Sequence, residues 1–306
     1  MRGNIGKARK GAMQATHRRR PTNAVISPPM NLLSFQSKVV LGHVGHSAAT
    51  LLLQRLGHDV WALDTVVFSN HPGYGSYSGK VTDAAEVAAL ASGLERLGVF
   101  PTCAAVASGY LGSVANGHAM LETAARVKRA NPNAFYICDP VIGDRNHGLY
   151  VAADLPRFFA EVALPAADLA LPNAFEVEHL TGSAITDLDS ALKAADRLCA
   201  LGPKLVVVTG IELGRAMTTL AVSAEEAWAV KTPRLHYGAF GTGDAFTALF
   251  IGRLLNGCSV QEALTLAVGG MYGLIEASQG RGELALIAAQ DQAVRPSRSW
   301  RARRLR

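Results

Sequence analysis

Residues 238 to 246 read GAFGTGDAF: three glycines, a threonine and a single carboxylate, Asp244, leading into an apolar run. Glycines at 241 and 243 let a turn approach a ligand closely, because no Cβ stands in the way. A helix beginning near Asp244 would aim unpaired backbone N–H groups and the positive end of its dipole at an anion. A phosphate in transfer fits that description. Asp244 has two readings at this point: a carboxylate capping its own helix, or a general base drawing a proton from an attacking hydroxyl. Thr242 would either help hold the phosphate or fill the turn.

Other nucleotide and nucleophile motifs fail. YGSYSGKV (74 to 81) ends like a Walker loop, but Tyr74 stands where its first glycine belongs, and Val81 follows Lys80 in place of Ser or Thr. No intact GxGxxG follows a strand, and neither a His-Arg-Asp catalytic loop nor GxSxG is present. His43, His46, His58 and His71 lack the spacing of metal ligands. Cys103, Cys138, Cys199 and Cys258 are far apart, with no CxxC pair, and read as reduced thiols of a cytosolic protein.

These residues need a scaffold, and the chain alternates strand-like and helix-like runs from end to end. Strands are expected at 30 to 35, 59 to 68, 103 to 108, 134 to 140, 168 to 172 and 204 to 210, with KLVVVTG the clearest buried one. Helical spacing falls at 47 to 56, 83 to 97 with Asp83 as cap, 113 to 130, 174 to 182, 188 to 201, and from 243 onward. Segments 217 to 222 and 226 to 231 are expected to pair as a hairpin. This alternation predicts an α/β fold: a mostly parallel central sheet with helices on both faces, three layers in one domain. Ligands of such sheets bind beyond the carboxyl ends of the strands. Ser37, Tyr110, Asp139, Glu176 and Thr209 all fall at such ends and would converge on one crevice. Each alone reads equally as a turn or rim residue.

With 306 residues, 49% of them apolar, the chain can bury a large core without staples. Its net charge of +6 is a property of the ends. Residues 1 to 29 carry seven Lys/Arg and residues 295 to 306 carry six Arg, neither with an acid, so the rest holds 17 basic residues against 24 acidic. That distribution argues against nucleic-acid binding by the folded body. Both ends are expected to be solvated: a basic N-terminal extension (1–29) and an Arg-rich C-terminal tail (295–306), flanking the folded body (30–294). The extension lacks the apolar core of a secretory signal. A start assigned too far upstream, with Met30 as the working one, is expected, and a transit peptide is the alternative. No stretch suits a membrane span.

The chain resembles the pyridoxal kinase family, within the ribokinase-like superfamily, from about Leu32 to Pro296. SFQSKVVLGHVGHSAA, LDTVVFSNHPGYGSYSG, SGYLGS, FYICDPVIGD, LPNAFEVEHLTG, GPKLVVVTG and FGTGD carry the resemblance, in the family's order. It implies a ribokinase-like α/β/α sandwich and ATP-dependent phosphorylation of the 5′-hydroxymethyl group of pyridoxal. On it, Asp244 is the catalytic base, and the amides of Gly241, Thr242 and Gly243 form the anion hole. Ser37, Val44, Gly45, His71, Pro72 and Tyr110 line the vitamer site. Asp139, Asp144, Tyr150 in a flap-like segment, Glu176, Thr209 and Thr242 serve the nucleotide. Mg²⁺, held at Asp139 and Glu176 largely through water, is the implied metal, with K⁺ a candidate as well. A cytoplasmic homodimer with no membrane partner is also implied.

Three positions depart from the family's pattern: Lys38 stands where members carry His, His46 where they carry Asn, and Pro72 where they carry Thr. All three are expected to line or border the vitamer pocket. The departures keep open a kinase for another hydroxymethyl compound, such as a hydroxymethylpyrimidine or a sugar. A non-catalytic pyridoxal phosphate carrier is the third reading, though storage needs neither a base nor an anion hole.

Overall fold

The computed structural model describes residues 29 to 235 and 240 to 306. The expected N-terminal extension therefore lies almost wholly outside the described residues, as do Gly238 and Ala239 of the glycine stretch. Strand β1 (Asn31–Val39) is followed by α1 (His46–Arg55), β2 (Asp59–Phe68), the short β3 (Gly79–Val81) and α2 (Ala84–Arg96). Then come β4 (Cys103–Ser108), α3 (Val114–Ala130), β5 (Phe135–Cys138) and a two-residue hairpin, β6 (Gly143–Asp144) with β7 (Gly148–Leu149). A broken helix follows: α4 (Leu155–Phe158), a wide turn at Phe159–Ala163, and α5 (Leu164–Ala166). The chain continues through β8 (Leu169–Ala170), α6 (Ala174–Thr181), α7 (Leu188–Cys199), β9 (Leu205–Leu213), β10 (Ala216–Ser223) and β11 (Ala227–Pro233). It closes with α8 (Thr242–Leu255), α9 (Val260–Ala277), α10 (Asp291–Val294) and β12 (Arg303–Arg304).

The strands form one sheet in the order β12-β11-β10-β9-β8-β5-β4-β1-β2-β3. Its centre, from β2 to β9, is parallel, and antiparallel strands flank it on both sides. Apolar residues on both faces of the central strands demand cover on both sides. Helices α2, α3, α6 and α7 pack on one face around Phe100, Met120 and Tyr136. Helices α1, α8 and α9 pack on the other around Leu52, Phe250 and Leu264. Helices α1 and α8 thus share a layer, with their N-termini at the carboxyl edge of the sheet.

Local signals explain most helix starts. Asp83 accepts from Ala85 N, Ser113 from Asn116 N, and Asn173 and Glu176 form a reciprocal capping box at α6. Asn116 ties distant segments together: its amide donates to the carbonyls of Thr65, Leu111 and Thr82.

The C-terminal residues correct the expectation of a solvated tail. Arg303 and Arg304 add β12 to the edge of β11, and Arg304 lies over the Trp228 ring. Trp300 packs on Tyr272 with ring centroids 4.4 Å apart, Ala302 is buried, and Arg306 bridges to Asp196 at 2.9 Å. The arginines face outward while the apolar residues between them cover the sheet edge.

Candidate active site

The site is built where two helix N-termini meet. Gly45, N-cap of α1, donates its N–H to Oδ2 of Asp244 at 2.9 Å, and Asp244 lies in the first turn of α8. Its bond to a residue 199 positions away gives the carboxylate a partner beyond its own helix, which the capping reading did not foresee. Gly241 is the N-cap of α8 with φ +86°, and a Cβ there would fall 1.8 Å from the His43 carbonyl oxygen. Only glycine fits that close approach. Thr242, Gly243 and Asp244 open α8, so their N–H groups face the crevice end of the helix.

Asp139, just past β5, is 6% exposed, and its Oδ2 accepts from Thr247 Oγ1 at 2.8 Å. Glu176, 2% exposed, accepts from Ile142 N at 3.1 Å and from Asn173 N at 2.8 Å. Burial, with Asp244 nearby, pushes the Asp139 carboxyl up to about 8. Burial and then Asp139 hold Glu176 well above the carboxylate range. Burial also raises Asp244, while the Gly45 N–H and the nearby His46 pull it back. Three acids in a desolvated pocket are short of positive charge. Among the described residues no cluster of three His, Cys, Asp or Glu side chains could grip a metal directly. Since Glu176 already accepts backbone hydrogen bonds, the donor set suits a hard cation held through water.

The expected vitamer residues gather on the other side of Asp244. Val44 packs with Val39, Val66 and Phe68, and Tyr110 and Phe240 close the cluster. Gly45 sits so near Ser37 that a Cβ would fall 2.4 Å from its Oγ. His71 stacks on Phe240 with ring centroids 3.8 Å apart, and Pro72 opens the exposed turn behind it. His147 touches the other side of that neighbourhood, 5.3 Å from the Phe240 centroid, and is tied to Asp144 at 2.9 Å. Tyr150 stands half-exposed after β7, its N–H donating to Ile142 O. Thr209 lies at a bulge within β9 rather than at its end: the strand runs on to Leu213 through Gly210, at φ +69°.

His46 does not border the vitamer pocket as expected. It is 3% exposed and points down into the layer between α1 and the sheet, bonded to Asp64 and Ser34. Sequence reasoning also passed over Phe240, which joins the loop after β2 to the β6-β7 hairpin.

The sequence model of the family described as phosphomethylpyrimidine kinase matches residues 86 to 286. Pyridoxal kinase PdxY of Rubrobacter xylanophilus is 45% identical, over 90% of this chain and 98% of the relative. The chain belongs to the pyridoxal kinase family. Pyridoxal kinase PdxY of Deinococcus radiodurans is 43% identical over 90% of this chain and 97% of its own. Pyridoxal kinase of Leishmania donovani, solved in complex with ADP and pyridoxamine, superposes with a TM-score of 0.85 at 30% identity, covering 90% and 99% of the two chains. The ribokinase-like α/β fold expected from the sequence is thereby established for a pyridoxal kinase family member.

Proposed function

We propose that this chain phosphorylates the 5′-hydroxymethyl group of pyridoxal and related B6 vitamers with ATP. The observation that carries it is the Gly45 N–H to Asp244 bond, which sets one carboxylate between an apolar pocket and a helix N-terminus. The substrate hydroxyl would lie on Asp244, which takes its proton as the oxygen bonds to the γ-phosphorus. The bond from that phosphorus to the β,γ-bridging oxygen breaks, and ADP leaves. The amides of Gly241, Thr242 and Gly243 would face the moving phosphoryl group, where charge accumulates. The raised affinity of Asp244 for a proton suits it to accept one.

Ser37, Val44, Gly45 and Tyr110 would hold the vitamer ring, with His71 and Pro72 at the rim. Asp144, Tyr150, Thr209 and Thr242 would position the nucleotide. Asp139 and Glu176 would hold Mg²⁺ through water, and the ion would neutralise phosphate charge in a pocket short of cations. We further propose a cytoplasmic homodimer.

Purified protein should form pyridoxal phosphate from pyridoxal, ATP and Mg²⁺, and Asp244→Asn should lower kcat by about 10² to 10⁴. Parental turnover in the variant would sink the base assignment. A hydroxymethylpyrimidine is the alternative acceptor, favoured by the description of the matching family. Higher kcat/KM for it than for pyridoxal would overturn the choice of substrate and leave the base intact.

A further inference from the structure

Directly beneath the site, Ser34, His46 and Asp64 form a hydrogen-bonded line. Nδ1 of His46 meets Oδ1 of Asp64 at 2.6 Å, and Nε2 meets Oγ of Ser34 at 3.0 Å. The order of groups is that of a hydrolase triad. Ser34, however, is 0% exposed, so no substrate could reach its hydroxyl. The array can act only through what it holds in place.

What it holds is the start of α1. His46 is that helix's first residue, and Gly45 before it has no side chain to make a capping bond. A stiffer residue is barred at 45, where φ is +52° and a Cβ would fall 2.1 Å from the Ser37 carbonyl oxygen. The turn that presents the Gly45 N–H is therefore flexible by composition, and its rigidity has to come from its neighbour. The His46 ring supplies it by bonding to Ser34 on β1 and Asp64 on β2, adjacent parallel strands in the sheet. With a carboxylate on Nδ1, that nitrogen carries a proton, which fixes the ring's orientation. The ring also lies close enough to Asp244 to favour its ionised form.

We propose that His46 is a positioning residue for phosphoryl transfer: clamped by Ser34 and Asp64, it fixes the first turn of α1 and so holds the Gly45 N–H against Oδ2 of Asp244. The proposal rests on Asp244 being the base. Its consequence is specific, since a slack Gly45 would let the carboxylate rotate away from the hydroxyl without weakening the binding of either substrate.

The test is steady-state kinetics of His46→Ala and His46→Asn, each alone and combined with Asp244→Asn, with melting temperatures recorded. His46→Ala should lower kcat by about 10- to 100-fold, the scale of a small misplacement. KM for ATP and for pyridoxal should stay within about twofold. His46→Asn keeps an N–H donor for Asp64 and should recover most of the lost rate. In the Asp244→Asn background, with no base left to aim, His46→Ala should change the residual rate by less than about twofold. Equal fold losses in both backgrounds would overturn the proposal, as would a change confined to KM. If the Ala variant does not fold, Asp64→Asn is read by the same criteria, with a smaller kcat loss confined to the parent background expected and equal losses overturning it. Parental turnover by Asp244→Asn would instead remove the base on which the proposal rests, whatever His46 does.

Discussion

The backbone N–H of Gly45 and the carboxylate of Asp244 are bonded at 2.9 Å across 199 positions of sequence. The contact requires the loop before α1 and the turn before α8 to interlock. Gly241 shows how tightly they do, since its missing Cβ is filled by the His43 carbonyl. Gly241→Ala should therefore move the turn, strain φ at +86°, and lower kcat by more than about 10². Kinetics beside a far-UV spectrum would check it, and a folded variant with parental kcat would contradict the interlock.

Asn116 makes a stability prediction far from the chemistry. Its amide satisfies carbonyls from β2, from the segment after β3 and from the turn before α3. Replacement by Leu keeps the approximate volume and strands those buried acceptors. At about 1–3 kcal/mol for each group left unsatisfied, with partial relaxation, the loss should be roughly 2–4 kcal/mol. A urea titration should show a lower midpoint with an unchanged slope.

The sequence made the scaffold legible wherever an element was long and periodic. β2 and β4 fall on the expected residues, and α2 starts at the expected Asp83 cap. It failed where structure depends on contacts between distant segments. Strands of two or three residues, such as β6, β7 and β3, offer too few positions for a period to show. The site residues Asp139 and Glu176 could be placed at strand ends, but their shared desolvation could not be read from spacing. His46 looked like a pocket residue because its neighbours are; only the fold reveals Asp64, 18 positions on, as its partner.

The C-terminal segment was misread because its charge count hid its apolar residues. Trp300, Ala302 and Leu305 pack on the core clusters, while the arginines between them meet solvent or acids. Deleting residues 295 to 306 should uncover β11 as an unprotected edge and expose the Trp228 and Tyr272 rings. Burying one large side chain is worth about 1.5–3 kcal/mol. At roughly 2–4 °C per kcal/mol in domains somewhat smaller than this one, a Tm loss of at least about 3 °C is expected. Light scattering should also show association through the freed edge. Unchanged melting would mean that the segment merely rests on the sheet.

The contact between His71 and Phe240 makes the site's rim sensitive to acid. His71 is held down to about 4 by burial first and by His147 second, with Asp144 opposing them. Its Nδ1 accepts from Gly73 N at 3.1 Å, which requires that nitrogen to be unprotonated. An imidazole of ordinary affinity in the unfolded chain binds its proton near 6.5, so between 6.5 and about 4 the unfolded chain holds more protons than the folded one. The contribution of this group to stability is therefore present above pH 6.5 and is lost as pH falls toward 4. A ¹H–¹³C NMR titration should give His71 a midpoint near 4. Phe240→Ala, which removes the stacked ring, should return it toward 6.5. A midpoint already near 6.5 in the parent protein would mean that the ring is not covered in solution and that the loop after β2 stands away from Phe240.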